Sequence, residues 1–183
     1  MRSRGLSKSR IMAGIQCPKR LYLETYHREL AEGSADKQER FAAGRRVGEL
    51  ARTLYPGGTL IDGGDLKGAL EETEAGLKVA NDAVFFEATL QHEDVLFRAD
   101  ILAKEAERTE LSEVKSSTTV KDEHVQDCAI QAWVLRGAGY PADTVALVHI
   151  DNTFVYGGDG DYTGLFAQED ITGEVRALEL DVP

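Results

Sequence analysis

The sequence predicts an α/β domain in which a mixed sheet follows a helical N-terminal part. Apolar residues recur at helical spacing up to about residue 80, and β-rich segments dominate after it. A helical segment then separates two of the β-rich segments, which predicts a buried crossover. The length of 183 residues suits one domain, 1–183, with a mainly helical part over 1–80 and a sheet with its crossover helix over 81–183.

The first predicted helix covers residues 6–26, LSKSRIMAGIQCPKRLYLETY. Ser7 or Ser9 can cap its N-terminus, since a serine hydroxyl accepts a hydrogen bond from a free backbone N–H. Pro18 is expected to kink this helix or to split it in two, because proline lacks the N–H that an inner turn requires. A later helix is predicted to begin near Asp65 and to continue through residues 66–80.

A second helix is predicted over residues 35–54 and ends before Pro56. Phe41, Gly44, Gly48 and Ala51 share one face of it at helical spacing. Two glycines lower the helix propensity, so this face is expected to pack closely against another element.

The remaining elements are predicted as strands around one helix. Strands are expected at 83–91, 95–104, 109–117 and 143–151, with a hairpin turn at 92–94, a helix at 122–137, and a loop, a short strand and a short helix within 154–178. The first three strands form a meander, and the helix carries the chain across to the fourth.

Charge is distributed unevenly along this acidic chain. The net charge is −11 and the pI about 4.8, which argues against a nucleic-acid binder of the usual basic kind. The first 52 residues are nevertheless rich in cations, which include Arg2, Arg4, Lys8, Arg10, Lys19, Arg20, Arg28, Arg40, Arg45, Arg46 and Arg52. A local basic face of this kind can hold a chain of phosphates, although solvated helix faces have the same composition.

Two further features bear on location. No apolar run approaches the roughly 18 residues that a membrane-spanning helix needs, so no membrane partner is expected. Cys17 and Cys128 lie far apart and do not form the pattern of an exported disulfide scaffold. Cys128 falls on the apolar side of its predicted helix, as a core thiol would. These features indicate a reduced, cytoplasmic protein.

Three chemically distinctive residues lie on neighbouring predicted strands. Asp100 stands in FRADIL, and thirteen residues later Glu113 opens the sequence Glu-Val-Lys. Glu113 and Lys115 point to the same side of their strand, and Val114 points to the other. Antiparallel pairing of 95–103 with 109–116 would place the carboxylate of Asp100 beside that of Glu113.

Two adjacent carboxylates repel each other unless a proton or a cation lies between them. Mg²⁺ fits such a pair, because it prefers oxygen ligands and retains several waters. The Val114 carbonyl is a candidate third protein ligand, and Lys115 can orient a metal-activated water or offset charge on a phosphate. The alternative is a surface ion-pair network across two strands.

The predicted helix at 122–137 carries a polar stripe. His124, Asp127 and Gln131 follow one another at spacings of three and four residues, so they share one face. The stripe either faces the candidate metal and its substrate or forms the solvated edge of an amphipathic helix.

These residues carry a resemblance to a known enzyme family. RADIL followed by ELSEVKSS resembles the PD-(D/E)XK nuclease signature, with Asp100 as the first acid and Glu113, Val114 and Lys115 as the E-x-K motif. The segment DCAIQAWVL, which contains Gln131, is similar to the glutamine-containing helix of the RecB-like branch. The leader LSKSRIMAGIQCPKRLYLE resembles that of a bacterial RecB-like group, which includes CRISPR-associated exonucleases and a family of longer proteins. The segment DNTFVYGGDGDYTGLFAQEDIT is similar to that longer family.

The resemblance implies a restriction-endonuclease-like core with an N-terminal helical segment. It implies a deoxyribonuclease dependent on Mg²⁺ or Mn²⁺, with DNA single strands or duplex ends as partner. Asp100, Glu113 and the Val114 carbonyl would hold the metal, Lys115 would assist the water, and Gln131 would act with the leader cations to position the strand. The resemblance favours exonuclease action, whereas the motif spacing does not choose between exonuclease and endonuclease.

Two departures from the family pattern affect the expected ligands. Many RecB-like enzymes carry a metal-binding histidine on the second helix, where this chain has Gly48; Glu87 in FFEATL is a candidate replacement, or else a solvated strand residue. Relatives with an iron–sulfur cluster use four cysteines. Only Cys17 matches that set, so no cluster is expected in this chain. The chain is then either a cluster-free variant or part of a larger unit with a C-terminal continuation or partner subunit.

The main rival interpretation is a module without catalytic activity that uses the same fold to bind nucleic acid or a protein. The missing histidine and the acidic balance of the chain favour it. A metal-stabilised dimer with no role in nucleic-acid chemistry is a third alternative.

Overall fold

The structure is a computed structural model that describes residues 6–30 and 35–179. Its helices are α1 (Lys8–Gln16), α2 (Pro18–Tyr26), α3 (Ala35–Ala51), α4 (Leu66–Val79), α5 (Asp122–Gly137) and α6 (Thr172–Glu179), with two 3₁₀ turns at Arg28–Leu30 and Arg52–Leu54. Its strands are β1 (Leu6–Ser7), β2 (Thr59–Leu60), β3 (Asp82–His92), β4 (Val95–Glu105), β5 (Arg108–Lys115), β6 (Thr144–Ile150) and β7 (Phe166–Asp170).

A single mixed sheet organises these elements. The strand order is β2-β3-β4-β5-β6-β7, and β1 pairs additionally with β4. Strands β3, β4 and β5 form an antiparallel meander, β5 and β6 are parallel, and β7 is antiparallel to β6. The parallel pair requires a crossover, and α5 supplies it. The α/β class, the meander and the crossover helix predicted from the sequence are therefore confirmed.

Helix α5 covers the main core on one face of the sheet. Its acidic first turn, Asp122 and Glu123, and its basic last turn, Arg136, both complement the helix dipole. The sheet contributes Phe97, Leu102, Leu111, Val145 and Leu147 to this core, and α5 contributes Cys128, Ala129, Val134 and Leu135. Each fully buried aliphatic or aromatic side chain of this kind adds about 1.5–3 kcal/mol of hydrophobic stabilisation.

A second, smaller cluster covers the opposite face of the sheet. It consists of Ala51 at the end of α3, with Phe86, Ile101 and Val148 from three strands. The central strands bury apolar side chains on both faces of the sheet. Their polar residues differ in exposure: Arg98 of β4 is exposed, whereas Glu113 of β5 is 3% exposed. A buried carboxylate in a central strand is conspicuous, and Glu113 is one of the predicted site residues.

The leader is divided where Pro18 predicted a break. Helix α1 ends at Gln16 and α2 begins at Pro18, with Cys17 in an extended conformation between them. The prediction of helix from Leu6 onward is wrong at its first two residues, which pair in parallel with Val95 and Leu96 as β1. Two residues are too few for a strand period to show in the sequence.

Helix α3 is present, but the prediction that its glycine face packs closely is wrong. Phe41 is 59% exposed. In the described part of the chain, a Cβ placed at Gly44 or Gly48 would have no atom within 4 Å apart from its chain neighbours and the backbone of its own helix. Only Ala51 at the end of the face is buried. None of the helices described is both long and apolar enough to cross a membrane.

Candidate active site

Asp100 and Glu113 lie side by side on neighbouring antiparallel strands. The paired ladder of β4 and β5 begins at Ile101 and Ser112, so Asp100 and Glu113 are the next two residues in line. Asp100 Oδ2 accepts a hydrogen bond from the backbone N–H of Val114 at 2.8 Å. This bond attaches the carboxylate of β4 to the backbone of β5, and the antiparallel pairing predicted for these segments is confirmed.

Glu113 and Lys115 project from β5 toward α5, while Val114 packs against the second cluster on the opposite face. Lys115 Nζ donates to Glu113 Oε1 at 2.6 Å and to Asp127 Oδ2 of α5 at 2.7 Å. Side chains thus alternate along β5 as the sequence predicts: the charged Glu113 and Lys115 lie on one face of the sheet, and the apolar Val114 lies on the other.

The polar stripe of α5 faces this acidic pair. Gln131 Nε2 donates to Glu113 Oε2 at 2.7 Å, and Asp127 and His124 are also buried. The interpretation of the stripe as a solvated helix edge is therefore wrong. Gln131 is 0% exposed, so its predicted contact with a nucleic-acid strand is also wrong. Its hydrogen bond orients Glu113 from the buried side of the cluster instead.

Lys8 completes the cluster, and sequence reasoning missed this role. Its Nζ donates to Glu113 Oε1 at 3.1 Å and lies 3.1 Å from Asp127 Oδ1. The composition of the leader identifies Lys8 only as one of several cations. No local spacing connects it to Glu113, which is 105 residues away. The other missed partner, Asp127, was visible as part of the stripe but not as the acceptor for two lysines.

Burial and mutual repulsion separate the pKa values of the two acids. Burial, together with the neighbouring Glu113, raises the pKa of Asp100 from 3.8 to about 7. Burial would also raise the pKa of Glu113, but Lys8 and Lys115 outweigh it and lower that pKa to about 2. Asp100 is thus the acid that takes up a proton unless a cation approaches the pair.

Both lysines remain charged. Burial would lower the pKa of Lys115, but Glu113 and Asp127 raise it well above its ordinary value. The pKa of Lys8 is raised for the same reason, against the same effect of burial. Neither amine is therefore suited to act as a general base at neutral pH, and each acts as a fixed positive charge.

Three buried polar atoms of the described residues have no hydrogen-bond partner. They are His124 Nδ1, Asp127 Oδ1 and Gln131 Oε1, all on the stripe of α5. Asp127 Oδ1 does contact Lys8 as an ion pair. Since a buried polar group without a partner costs about 1–3 kcal/mol, atoms of this kind concentrate where a protein binds water or a ligand.

Glu87 is placed differently from Asp100 and Glu113. Its Oε1 accepts a hydrogen bond from Arg52 at 3.0 Å, and its Oε2 lies 3.9 Å from Arg98. Its backbone has a φ of 57°, an unusual conformation for a non-glycine residue in the middle of a strand. The structure shows this carboxylate paired with two arginines, so it gives the predicted metal-binding role of Glu87 no support.

The cluster offers few oxygen donors to an ion such as Mg²⁺ or Mn²⁺. No group of three or more His, Cys, Asp and Glu side chains among the described residues is arranged to hold a metal ion. The available donors are two carboxylates, Asp100 and Glu113, with the Val114 carbonyl as a candidate third. Mg²⁺ commonly uses one or two carboxylates and keeps its remaining positions for water and phosphate. The set therefore fits such an ion.

The two cysteines lie in different environments. Cys128 is buried in the main core, as predicted, and burial raises the pKa of its thiol. Cys17 is exposed at the break between α1 and α2.

A pair of adjoining grooves leads away from the cluster along the leader. One, of about 740 Å³, is lined by residues that include Lys8, Lys115, His124 and Asp127. The other, of about 820 Å³, has a basic lining of Arg10, Lys19, Arg20 and Arg28, with Glu24 as its carboxylate. Ser9 and Arg20 line both grooves. Arg2 and Arg4, the first two predicted leader cations, lie outside the described residues.

Comparison with known proteins gives a distant structural similarity. No protein-family model matches the chain, and no curated protein matches it. Among solved structures, the chain is similar to one described as the crystal structure of SSO0001, with a TM-score of 0.46 and 15% sequence identity. That match covers 98% of this chain and 75% of the other.

Proposed function

We propose that this protein is a metal-dependent nuclease that hydrolyses phosphodiester bonds in DNA, acting on single strands or duplex ends. One observation carries the proposal: Asp100 and Glu113 are adjacent on neighbouring strands, with the Lys115 ammonium 2.6 Å from Glu113. Burial and the neighbouring Glu113 raise the pKa of Asp100, because two negative charges so close together are unfavourable. A divalent cation relieves this repulsion in place of a proton, so such a pair favours binding of Mg²⁺ or Mn²⁺.

The residues of the cluster divide the work of such a reaction. Asp100, Glu113 and the Val114 carbonyl would hold Mg²⁺ or Mn²⁺, which would supply Lewis acidity and a water of lowered pKa. Lys115, held by Asp127 at 2.7 Å, offsets the negative charge that develops on the phosphate. Gln131 keeps Glu113 Oε2 oriented from the buried side.

The adjoining grooves support DNA as the substrate despite the net charge of −11. Their basic residues lie on the leader, on the same side as Lys8 and Lys115. A local concentration of arginine and lysine binds phosphates even on an acidic protein, because screening confines electrostatic attraction to about 8–10 Å at physiological salt.

The first test is cleavage of labelled single-stranded and double-stranded DNA in Mg²⁺, in Mn²⁺ and in chelator. We expect the wild-type protein to cleave only with metal, and Glu113→Gln to lose activity by about a hundredfold or more. Glu71→Gln, an exposed glutamate of α4, is the matched control. Equal cleavage by Glu113→Gln and the wild type would refute the assignment.

The alternative is a binding module without catalytic activity. It is favoured by the contacts of Glu113, whose two oxygens are already bonded by Lys8, Lys115 and Gln131. Calorimetric titration with Mn²⁺ separates the two. Binding by the wild type that disappears in Asp100→Asn supports the nuclease, whereas no heat of binding at about millimolar Mn²⁺ supports the module.

A further inference from the structure

Lys8 occupies a carboxylate oxygen that a metal ion would need. Its Nζ lies 3.1 Å from Glu113 Oε1, the same atom that Lys115 contacts at 2.6 Å. Two ammonium groups beside one oxygen repel each other, so each weakens the ion pair that the other makes with Glu113. A divalent cation bound by Glu113 would add a third positive centre at this point.

The charge balance of the cluster changes sign when such a cation binds. Three carboxylates, Asp100, Glu113 and Asp127, meet two ammonium groups, Lys8 and Lys115. Adding two positive charges leaves an excess of one, in a partly buried site where water screens poorly. The excess is relieved when one lysine leaves.

Lys8 is better placed to leave than Lys115. Lys115 stands on β5, which is paired with β6 at this position, and its contacts measure 2.6 and 2.7 Å. Lys8 is the first residue of α1, and its contacts are longer, at 3.1–3.3 Å. Both lysines line the groove of about 740 Å³, so the lysine that leaves Glu113 has this groove beside it, and the longer contacts of Lys8 make it the one that leaves.

The backbone of the leader does not need to move for this exchange. β1 is hydrogen-bonded to β4, Ala13 of α1 is buried, and Ile11 and Met12 pack against the main core. These contacts hold α1 against the sheet, while the long lysine side chain keeps its rotamer freedom.

We propose that Lys8 is a built-in competitor of the divalent cation: it neutralises Glu113 and Asp127 until a cation binds, and then turns into the groove to contact the substrate phosphate. This inference rests on the proposed function. It makes the leader part of the metal site rather than only a surface for DNA.

The first experiment measures Mn²⁺ affinity by calorimetry, without any assay of activity. Lys8→Met removes the competing charge and should tighten Mn²⁺ binding by about tenfold. Lys8→Arg keeps the charge and should stay within about threefold of the wild type. Lys67→Met, an exposed lysine of α4, is the matched control and should bind as the wild type does.

The second experiment uses the wild-type protein, so it does not depend on the folding of a variant. An amine-acetylating reagent is applied with and without saturating Mn²⁺, and the modified lysines are quantified by mass spectrometry. Lys8 should become several-fold more reactive with Mn²⁺, whereas Lys115 stays protected and Lys67 reacts equally in both samples.

The outcomes separate the two proposals. If the wild type binds Mn²⁺ but Lys8→Met has the same affinity and Lys8 stays protected from acetylation, the competitor role is wrong and the nuclease proposal is unaffected. If the wild type binds no Mn²⁺, both the metal site and the competitor role are wrong.

Discussion

At the scale of the residue, Asp100 makes the stability of the protein depend on pH. Its folded pKa of about 7 lies above the ordinary 3.8, so the folded protein binds the extra proton between these values. The stabilisation is fully present below about pH 4 and is lost as the pH rises through about 7. We expect the free energy of unfolding of the wild type to fall, relative to that of Asp100→Asn, across this window.

Chemical denaturation at several pH values checks this expectation. The asparagine keeps an oxygen to accept the N–H of Val114, so the comparison isolates the charge. Asp82→Asn replaces an exposed carboxylate at the start of β3 and serves as control. A constant difference between the wild type and Asp100→Asn from pH 4 to 8 would show that the folded protein does not raise the pKa of Asp100.

Substitution of Gln131 measures a second effect at this scale, the loss of stability when a buried oxygen of Glu113 has no hydrogen-bond donor. Gln131→Met removes the donor to Glu113 Oε2, and we expect it to reduce the free energy of unfolding by about 1–3 kcal/mol. Gln126→Met, on the same helix but only partly buried, should change it by less than about 0.5 kcal/mol. Equal effects of the two substitutions in urea denaturation would contradict the assigned contact.

At the scale of the element, two helical glycines should respond in opposite directions to alanine. A Cβ at Gly76 of α4 would lie 2.7 Å from buried Phe85, so Gly76→Ala should destabilise the protein by about 1 kcal/mol or more. Gly48 of α3 has open space, so Gly48→Ala should stabilise it by up to about 1 kcal/mol through helix propensity.

Thermal and urea denaturation of the two variants measure this difference. A loss of stability in Gly48→Ala would restore the prediction, made from the sequence, that the glycine face of α3 packs against another element. A gain in Gly76→Ala would show that Phe85 has room to move, and that α4 lies farther from β3 than the structure places it.

The bounds of the elements were predictable where their patterns are long. The predicted span of α5 agrees with the structure at both ends, and β3, β4 and β5 agree to within two residues. The two-residue strands β1 and β2 were missed, because a period cannot be read from two residues. The exposure of the glycine face of α3 was also missed, because helical spacing shows which residues share a face but not whether another element packs against it.

At the scale of the whole molecule, metal binding should raise stability by mass action. Mn²⁺ at about 100 times its dissociation constant adds about 2.7 kcal/mol to the free energy of unfolding. For a domain of this size the melting temperature should rise by about 5–10 °C. Asp100→Asn should show no such rise, and chelator should reverse it in the wild type. A rise of the same size in Asp100→Asn would place the ion elsewhere.

The site itself was only partly predictable from the sequence. Asp100, Glu113 and Lys115 could be identified because their strands are neighbours in the chain and strand alternation assigns them a face. Helical spacing placed Gln131 on one stripe with His124 and Asp127, but it left open whether that stripe faces inward or toward solvent, and only the structure shows the contact of Gln131 with Glu113. The pairing of Glu87 with Arg52 and Arg98 was not visible in any local pattern.

The sequence by itself determined the order of elements, the meander with its crossover, and which side chains share a face, because periodicity is a local property of the chain. Only the tertiary structure decided that Lys8 and Asp127, separated by 119 residues, meet at Glu113. That meeting depends on the packing of α1 and α5 against one sheet, and long-range packing sets distances that no local period encodes.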